Sequence, residues 1–274
     1  MQKDMIETLK RIKANAFDFL GMDAYVLAQD IVKEIGHQNP DIRDDLIYEV
    51  LAHLFHDKHL NAFELTSLME LLMSDAYMFY DINNTESWSV LKRSFSILQL
   101  VVLVYVHRRD DVIDRRVVLK LFDDLMDYLS RESILIGYDE HVGWVHTIAH
   151  SADLMGQLMQ LEYLDEVKLS MLFNAIADIV KKTHHVYLHN EDERLVKAIK
   201  KGLERNLLSK TFLLSWLDQF KIDKDQYDLQ QRLNLKHNIK IFLSSLYFSI
   251  SNDEGLQWFH EAINHVLIDH VLKG

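Results

Sequence analysis

Apolar residues recur at helix-face spacing along almost the whole chain. The pattern predicts helices over roughly 3–19, 22–36, 41–57, 61–74, 86–107, 115–131, 142–160, 165–186, 191–207, 210–219, 234–250 and 254–272. Start signals support several of them. In "NPDIRDD", Asn39 and Pro40 open a helix whose first turn carries acids, the sign that suits the helix dipole. "NDEG" ahead of "LQWFHEAINHVL" does the same, and Thr85 in "NNTESW" offers an N-cap.

A weak repeat underlies these helices. Those beginning near Asp41, Glu86, Val142, Glu191 and Asn234 recur about every 45–50 residues, each followed by a second amphipathic helix. Unusual polar residues sit in the first helix of each pair. Stacked pairs of this length predict an all-α fold, a HEAT-like or armadillo-like α-α superhelix, forming one domain over 1–274. In such a stack Arg93, His146 and Arg194 fall at comparable positions, which would line one surface about 10 Å apart.

Composition agrees and narrows the function. One proline and eight glycines leave few turn residues for a sheet-rich fold, while 49% hydrophobic residues suffice for a core. The net charge of −12, with no Lys/Arg stripe, argues against nucleic-acid binding. The absence of cysteine excludes disulfides, thiol catalysis and Cys-ligated zinc. The N-terminus has no apolar signal core. The longest apolar run, Phe95 to Val106, is too short to cross a bilayer and reads as a core helix. No membrane association and a cytoplasmic location are therefore expected.

The candidate chemistry concentrates in "GWVHTIAHSADLM". On a helix, His146, His150 and Asp153, spaced four and three apart, share one face. That set could ligate a divalent metal such as zinc, manganese or ferrous iron, with Asp139, His141, Glu191 or Glu193 as a further donor. It could equally form a structural polar network in which Asp153 orients His150 or pairs with Arg93 or Arg194. Asp139 is the other plausible partner of Arg93. Arg194, beside Glu193 at a helix start, suits either a carboxylate pairing or a clamp on an anionic ligand. Trp144 reads as a pocket wall or as core, and Gly137 and Gly143 bound a polar turn that could carry Tyr138 and Asp139 over His146. Phosphate-loop, dinucleotide and nucleophile-elbow motifs are absent. Ser151 and His150, being adjacent on a helix, point apart.

Five stretches carry a family resemblance: "NPDIRDDLIYEVL", "KRSFSILQLVVL", "GYDEHVGWVHTIAHSADLM", "EDERLVKAI" and "IKIFLSSLYF". With them the chain resembles the bacterial domain-of-unknown-function family numbered 2785. One departure is visible, since Ile136 stands where the resemblance would place an arginine. The resemblance implies a HEAT-like helical fold and no particular reaction. The expected function is a binding or scaffold protein with a central polar pocket, taking a protein or peptide partner or a small anionic ligand. The alternative is an enzyme or small-ligand receptor built on Arg93, Asp139, Trp144, His146, His150, Asp153, Glu193 and Arg194, with metal-dependent hydrolysis as one form.

Overall fold

The computed structural model describes residues 3–19, 21–85, 88–223 and 226–272. Among the described residues it is all-helical apart from one short hairpin, with twelve helices. The chain divides into two compact units, Met1–Leu154 and Met155–Gly274.

The first unit begins with α1 (Lys3–Ala14) and α2 (Ala24–Val32). Next comes α3, which runs through Pro40–Ile42, a widened π turn at Arg43–Tyr48 and Glu49–His56. Asn39 caps α3 through its side chain with Pro40 in the first turn, as the sequence predicts. α4 (Ala62–Leu72) opens with a reciprocal capping box between Asn61 and Glu64. α5 (Ser89–Asp110) follows; its predicted start at Glu86 lies outside the described residues. Trp88 flanks its first residue and makes no side-chain cap, while the helix start that Thr85 would cap falls outside the described residues. α6 (Arg115–Arg131) is capped by Asp114. Within the unit α3 packs on α5, α4 on α5 and α6, and α1 and α2 on α3. The core is built from Ile47, Leu51, Leu54, Leu68, Leu100, Leu103, Phe122 and Leu125, all sealed from solvent.

α5 is 22 residues long and apolar enough by length and composition to cross a membrane, more than its apolar run indicates. Most of it is buried by neighbouring helices, so core burial accounts for the composition. Fully buried Gln99 reaches from α5 to the widened turn of α3, where its amide nitrogen donates to the Tyr48 carbonyl (3.3 Å).

α7 (Thr147–Leu158) crosses the division between the units. The second unit continues with α8 (Glu166–Val180), α9 (Glu191–Glu204), α10 (Lys210–Asp218), α11 (Leu229–Ser249) and α12 (Gln257–Val266). A 3-10 turn at Glu254–Leu256 precedes α12 and a π turn at Leu267–Leu272 follows it. α9 packs on α11, α10 on α8 and α12, and α8 on α11. Trp216 anchors this core, edge-on to Phe173 and Phe220, with its indole N–H on the Phe173 carbonyl (2.7 Å).

Two predicted boundaries shift here. The helix expected over 165–186 ends at Val180, because Asn234 and Asn238 of α11 take the carbonyls of Lys182, Thr183 and His185 and the N–H of Tyr187. The helix expected from Asn234 begins at Leu229, where Asp228 and Gln231 form a second capping box. Arg205 braces another loop, donating to the carbonyls of Met159 (2.9 Å), Leu161 (2.6 Å), Glu162 (3.1 Å) and Leu164 (3.1 Å).

Candidate functional site

The central stretch opens with a hairpin where the sequence predicts a helix. β1 (Tyr138–Asp139) pairs antiparallel with β2 (Gly143–Trp144), with Tyr138 opposite Trp144 and Asp139 opposite Gly143. Asp139 Oδ1 accepts the N–H groups of His141 (2.8 Å) and Val142 (3.3 Å), which closes the turn. Gly143 adopts φ +73°, and a methyl there would stand 3.1 Å from Pro40 Cβ, so both conformation and space call for glycine.

The helix expected over 142–160 therefore starts only at Thr147. His146 precedes it in the left-handed region, at φ +53°, and its carbonyl accepts a helical bond from His150 N–H (2.9 Å). The shared helical face of His146, His150 and Asp153 is corrected accordingly. His150 and Asp153 lie on α7, and His146 lies before it. Glycines at 137 and 143 were the signal for this break.

His150 is buried, and its Nδ1 lies 2.9 Å from Ser94 Oγ and 3.2 Å from the Ser94 carbonyl. Ser94 gives its own proton to the Val145 carbonyl (2.6 Å). Both contacts of Nδ1 are therefore acceptors, so Nδ1 carries a proton. Ser151, beside it, donates to the Thr147 carbonyl (2.8 Å) and takes no part.

Arg43 is fully buried at the widened turn of α3 and reaches the hairpin. Its Nη2 donates to the carbonyls of Val142 (2.9 Å) and Trp144 (2.9 Å), and its Nη1 to that of His37 (3.1 Å). The charge is balanced by Asp44, with Nε–Oδ1 at 2.9 Å. Burial pushes the Asp44 carboxyl up, against the pull of Arg43. Asp44 is the next residue in the chain, whereas Val142 and Trp144 lie 99 and 101 residues away.

These groups close a ring of contacts. The Trp144 and His146 rings stack at 4.4 Å, and His146 meets His150 edge-on at 5.3 Å. His150 meets Phe95 edge-on at 5.2 Å, and Arg43 lies 4.5 Å over the Phe95 ring before returning to the Trp144 carbonyl. Trp144 itself is 43% exposed, as is Tyr138, which packs edge-on against it at 5.0 Å. Trp144 is thus no core residue.

Arg93 does not pair with Asp153 or Asp139, which corrects both expectations. It is fully buried and forked onto Glu132, Nε–Oε2 at 2.7 Å and Nη2–Oε1 at 3.0 Å. Nη1 donates to the carbonyls of Tyr80 (3.0 Å) and Asp81 (3.3 Å) and to Ser89 Oγ (2.9 Å). Every nitrogen of the guanidinium is engaged, so Arg93 lines no surface with His146. Glu132 also accepts from Tyr128 O–H (3.0 Å) and Ile134 N–H (2.9 Å). Glu132 and Ser94 are the functional partners that sequence reasoning missed; Glu132 lies in none of the five stretches quoted above, and Ser94 lies in "KRSFSILQLVVL" without a role read from it.

In the second unit, Glu193 is exposed and Arg194 half-buried in the first turn of α9. Glu191 is buried beside them, and its Oε2 accepts the His189 N–H (2.7 Å). Asp192 takes a hydrogen bond from Ser245. Among the described residues no group of three or more His, Asp or Glu side chains is placed to hold a metal ion.

Fold and site together define an all-helical protein with one braced hairpin, in which Arg43, Arg93 and His150 hold backbone in place. The chain belongs to the family described as a protein of unknown function, DUF2785, which matches residues 78–248. The resemblance read from the sequence is thereby borne out. The matched segment includes Arg93, Glu132, the hairpin and α7. No curated protein and no solved structure matches the chain.

Proposed function

We propose that the chain is a binding module with HEAT-like stacking, and that the aromatic corner of Tyr138 and Trp144 is where it takes a protein or peptide partner. The HEAT-like reading is supported by packing between alternate helices, α3 on α5, α4 on α6, α9 on α11 and α10 on α12. Stacked helix pairs make that contact pattern, first helix on first and second on second.

The observation that carries the binding reading is the 43% exposure of both aromatic rings on a hairpin fixed from behind by a buried arginine. Exposed, rigid aromatic side chains are what binding surfaces are enriched in. A catalytic reading draws less support, because Arg93 and the His150 Nδ1 proton are already committed to internal partners.

Photo-crosslinking tests it. A photoreactive phenylalanine analogue placed at Tyr138 is expected to yield one discrete adduct with a partner protein in cells. The same analogue at exposed Phe63 of α4 should not, and Trp144→Ala should abolish the Tyr138 adduct. Absence of any adduct specific to Tyr138 would overturn the reading.

A further inference from the structure

We propose that a second site, separate from the aromatic corner and built wholly within the first unit, binds the anionic end of a small planar organic molecule, with Lys92 supplying the charge and His37 a hydrogen bond. It is a cavity of about 380 Å³ between the turn after α2, the Tyr80–Asp81 turn and the start of α5. That volume falls in the range of small-ligand pockets.

Lys92 is the first argument. Its ammonium lies 4.5 Å from the Tyr77 ring centre and 4.6 Å from that of Tyr80. Among the described residues no carboxylate comes within 4.0 Å of it. Lys33, on the same rim, is by contrast tied to Asp30 at 2.7 Å. Burial lowers the Lys92 pKa, against the pull of the Glu34 carboxylate across the cavity. Such a charge gains from an incoming anion.

His37 is the second. Its Nδ1 accepts the Asn39 N–H (3.1 Å), so the neutral ring must carry its proton on Nε2. Burial pushes its pKa down, which keeps the ring neutral and Nε2–H a donor of fixed identity.

The walls are fixed in advance. Arg43 holds the His37 carbonyl, and Arg93 holds those of Tyr80 and Asp81. A Cβ at Gly36 would sit 2.7 Å from Lys92 Cα and N, so only glycine lets this turn lie against α5. Preorganised walls reduce the ordering cost of binding. Tyr80 and Trp88 offer flat surface for the body of the ligand. Glu34 and Asp81 also line the cavity and repel polyanions, which favours a single carboxylate or phosphate.

The test is an amide-resolved NMR titration of the full chain with benzoate, phenyl phosphate and inorganic phosphate. Shifts confined to 33–38 and 77–92 are expected, with an aryl anion binding better than inorganic phosphate. Benzoate ahead of phenyl phosphate would assign a carboxylate, and the reverse order a phosphate. Lys92→Met should weaken binding by about tenfold or more. Tyr80→Ala should weaken the aryl anions by a larger factor than inorganic phosphate, because it removes the flat surface from the aryl body while only altering the surroundings of Lys92. No shift with any probe up to about 10 mM, shifts centred elsewhere, or equal affinity in folded Lys92→Met would each overturn the proposal. Should Lys92→Met not fold, the location of the wild-type shifts still decides.

Discussion

Arg93 and Glu132 grip each other through two parallel hydrogen bonds, 2.7 and 3.0 Å long, with both side chains sealed from water. Removing one partner leaves the other charged and buried, which costs about 3–5 kcal/mol. Glu132→Ala and Arg93→Met should each lower stability by that amount in urea unfolding followed by circular dichroism. The double variant should cost less than the sum, because it strands no charge. Additive losses would show that the pair is not coupled.

Arg43→Lys tests the brace on the hairpin. A lysine cannot fork across the carbonyls of Val142 and Trp144 while also holding Asp44. The expected loss is about 2–3 kcal/mol, with faster hydrogen exchange at 138–146 than elsewhere. Uniform loss of protection over the whole first unit would argue that Arg43 serves the core and not the hairpin.

Gly202 lies on α9 where a methyl would overlap the Phe173 ring and stand 3.1 Å from Met159 Sδ. Alanine would gain about 1 kcal/mol of helix propensity and lose about 1–3 kcal/mol to overpacking. Gly202→Ala should therefore lower the melting temperature. A rise would mean that Phe173 moves aside at no cost.

Burial pushes the ring pKa of His37, His107 and His185 below the ordinary 6.5. Above that pH both folded and unfolded chains hold them neutral, and their contribution to stability is complete. As pH falls below it, the unfolded chain takes up protons that the folded chain refuses, so stability drops until the lower folded pKa values are reached. The urea midpoint should accordingly be lower at about pH 5.5 than at about pH 7.5, and His107→Gln should shrink the difference. Equal midpoints would count against neutral burial.

His150 commits its Nδ1 proton to Ser94, and His146 stands outside the helix that bears Asp153. Zinc, manganese and ferrous iron are thus expected to bind no more tightly to the wild type than to His146→Ala/His150→Ala. The double variant should instead lose melting temperature. Stoichiometric metal that disappears in the variant would restore the hydrolase reading.

The helices were legible because their signals are local. Apolar spacing, Asn39–Pro40 and the capping residues act within a turn or two, and the chain states them directly. The site was legible in its ingredients and not in its connections. Glu132 lies 39 residues from Arg93, Ser94 lies 56 from His150, and Val142 lies 99 from Arg43. No spacing rule reaches that far. The hairpin was missed because Trp144, Val145 and Ile148 keep an apolar rhythm that overrode Gly137 and Gly143. The early end of α8 was hidden for the same reason of distance, since the asparagines that hold the residues after it sit on α11.

Arg205 sits among four backbone oxygens and Arg43 among three. A cation ringed by carbonyls is the coordination chemistry that many loops obtain from a calcium ion. Here the cation is tethered to the chain through its own side chain. It cannot be chelated, diluted away or exchanged, and its supply is set by translation alone. The shape of these loops therefore places no demand on the calcium a cell supplies.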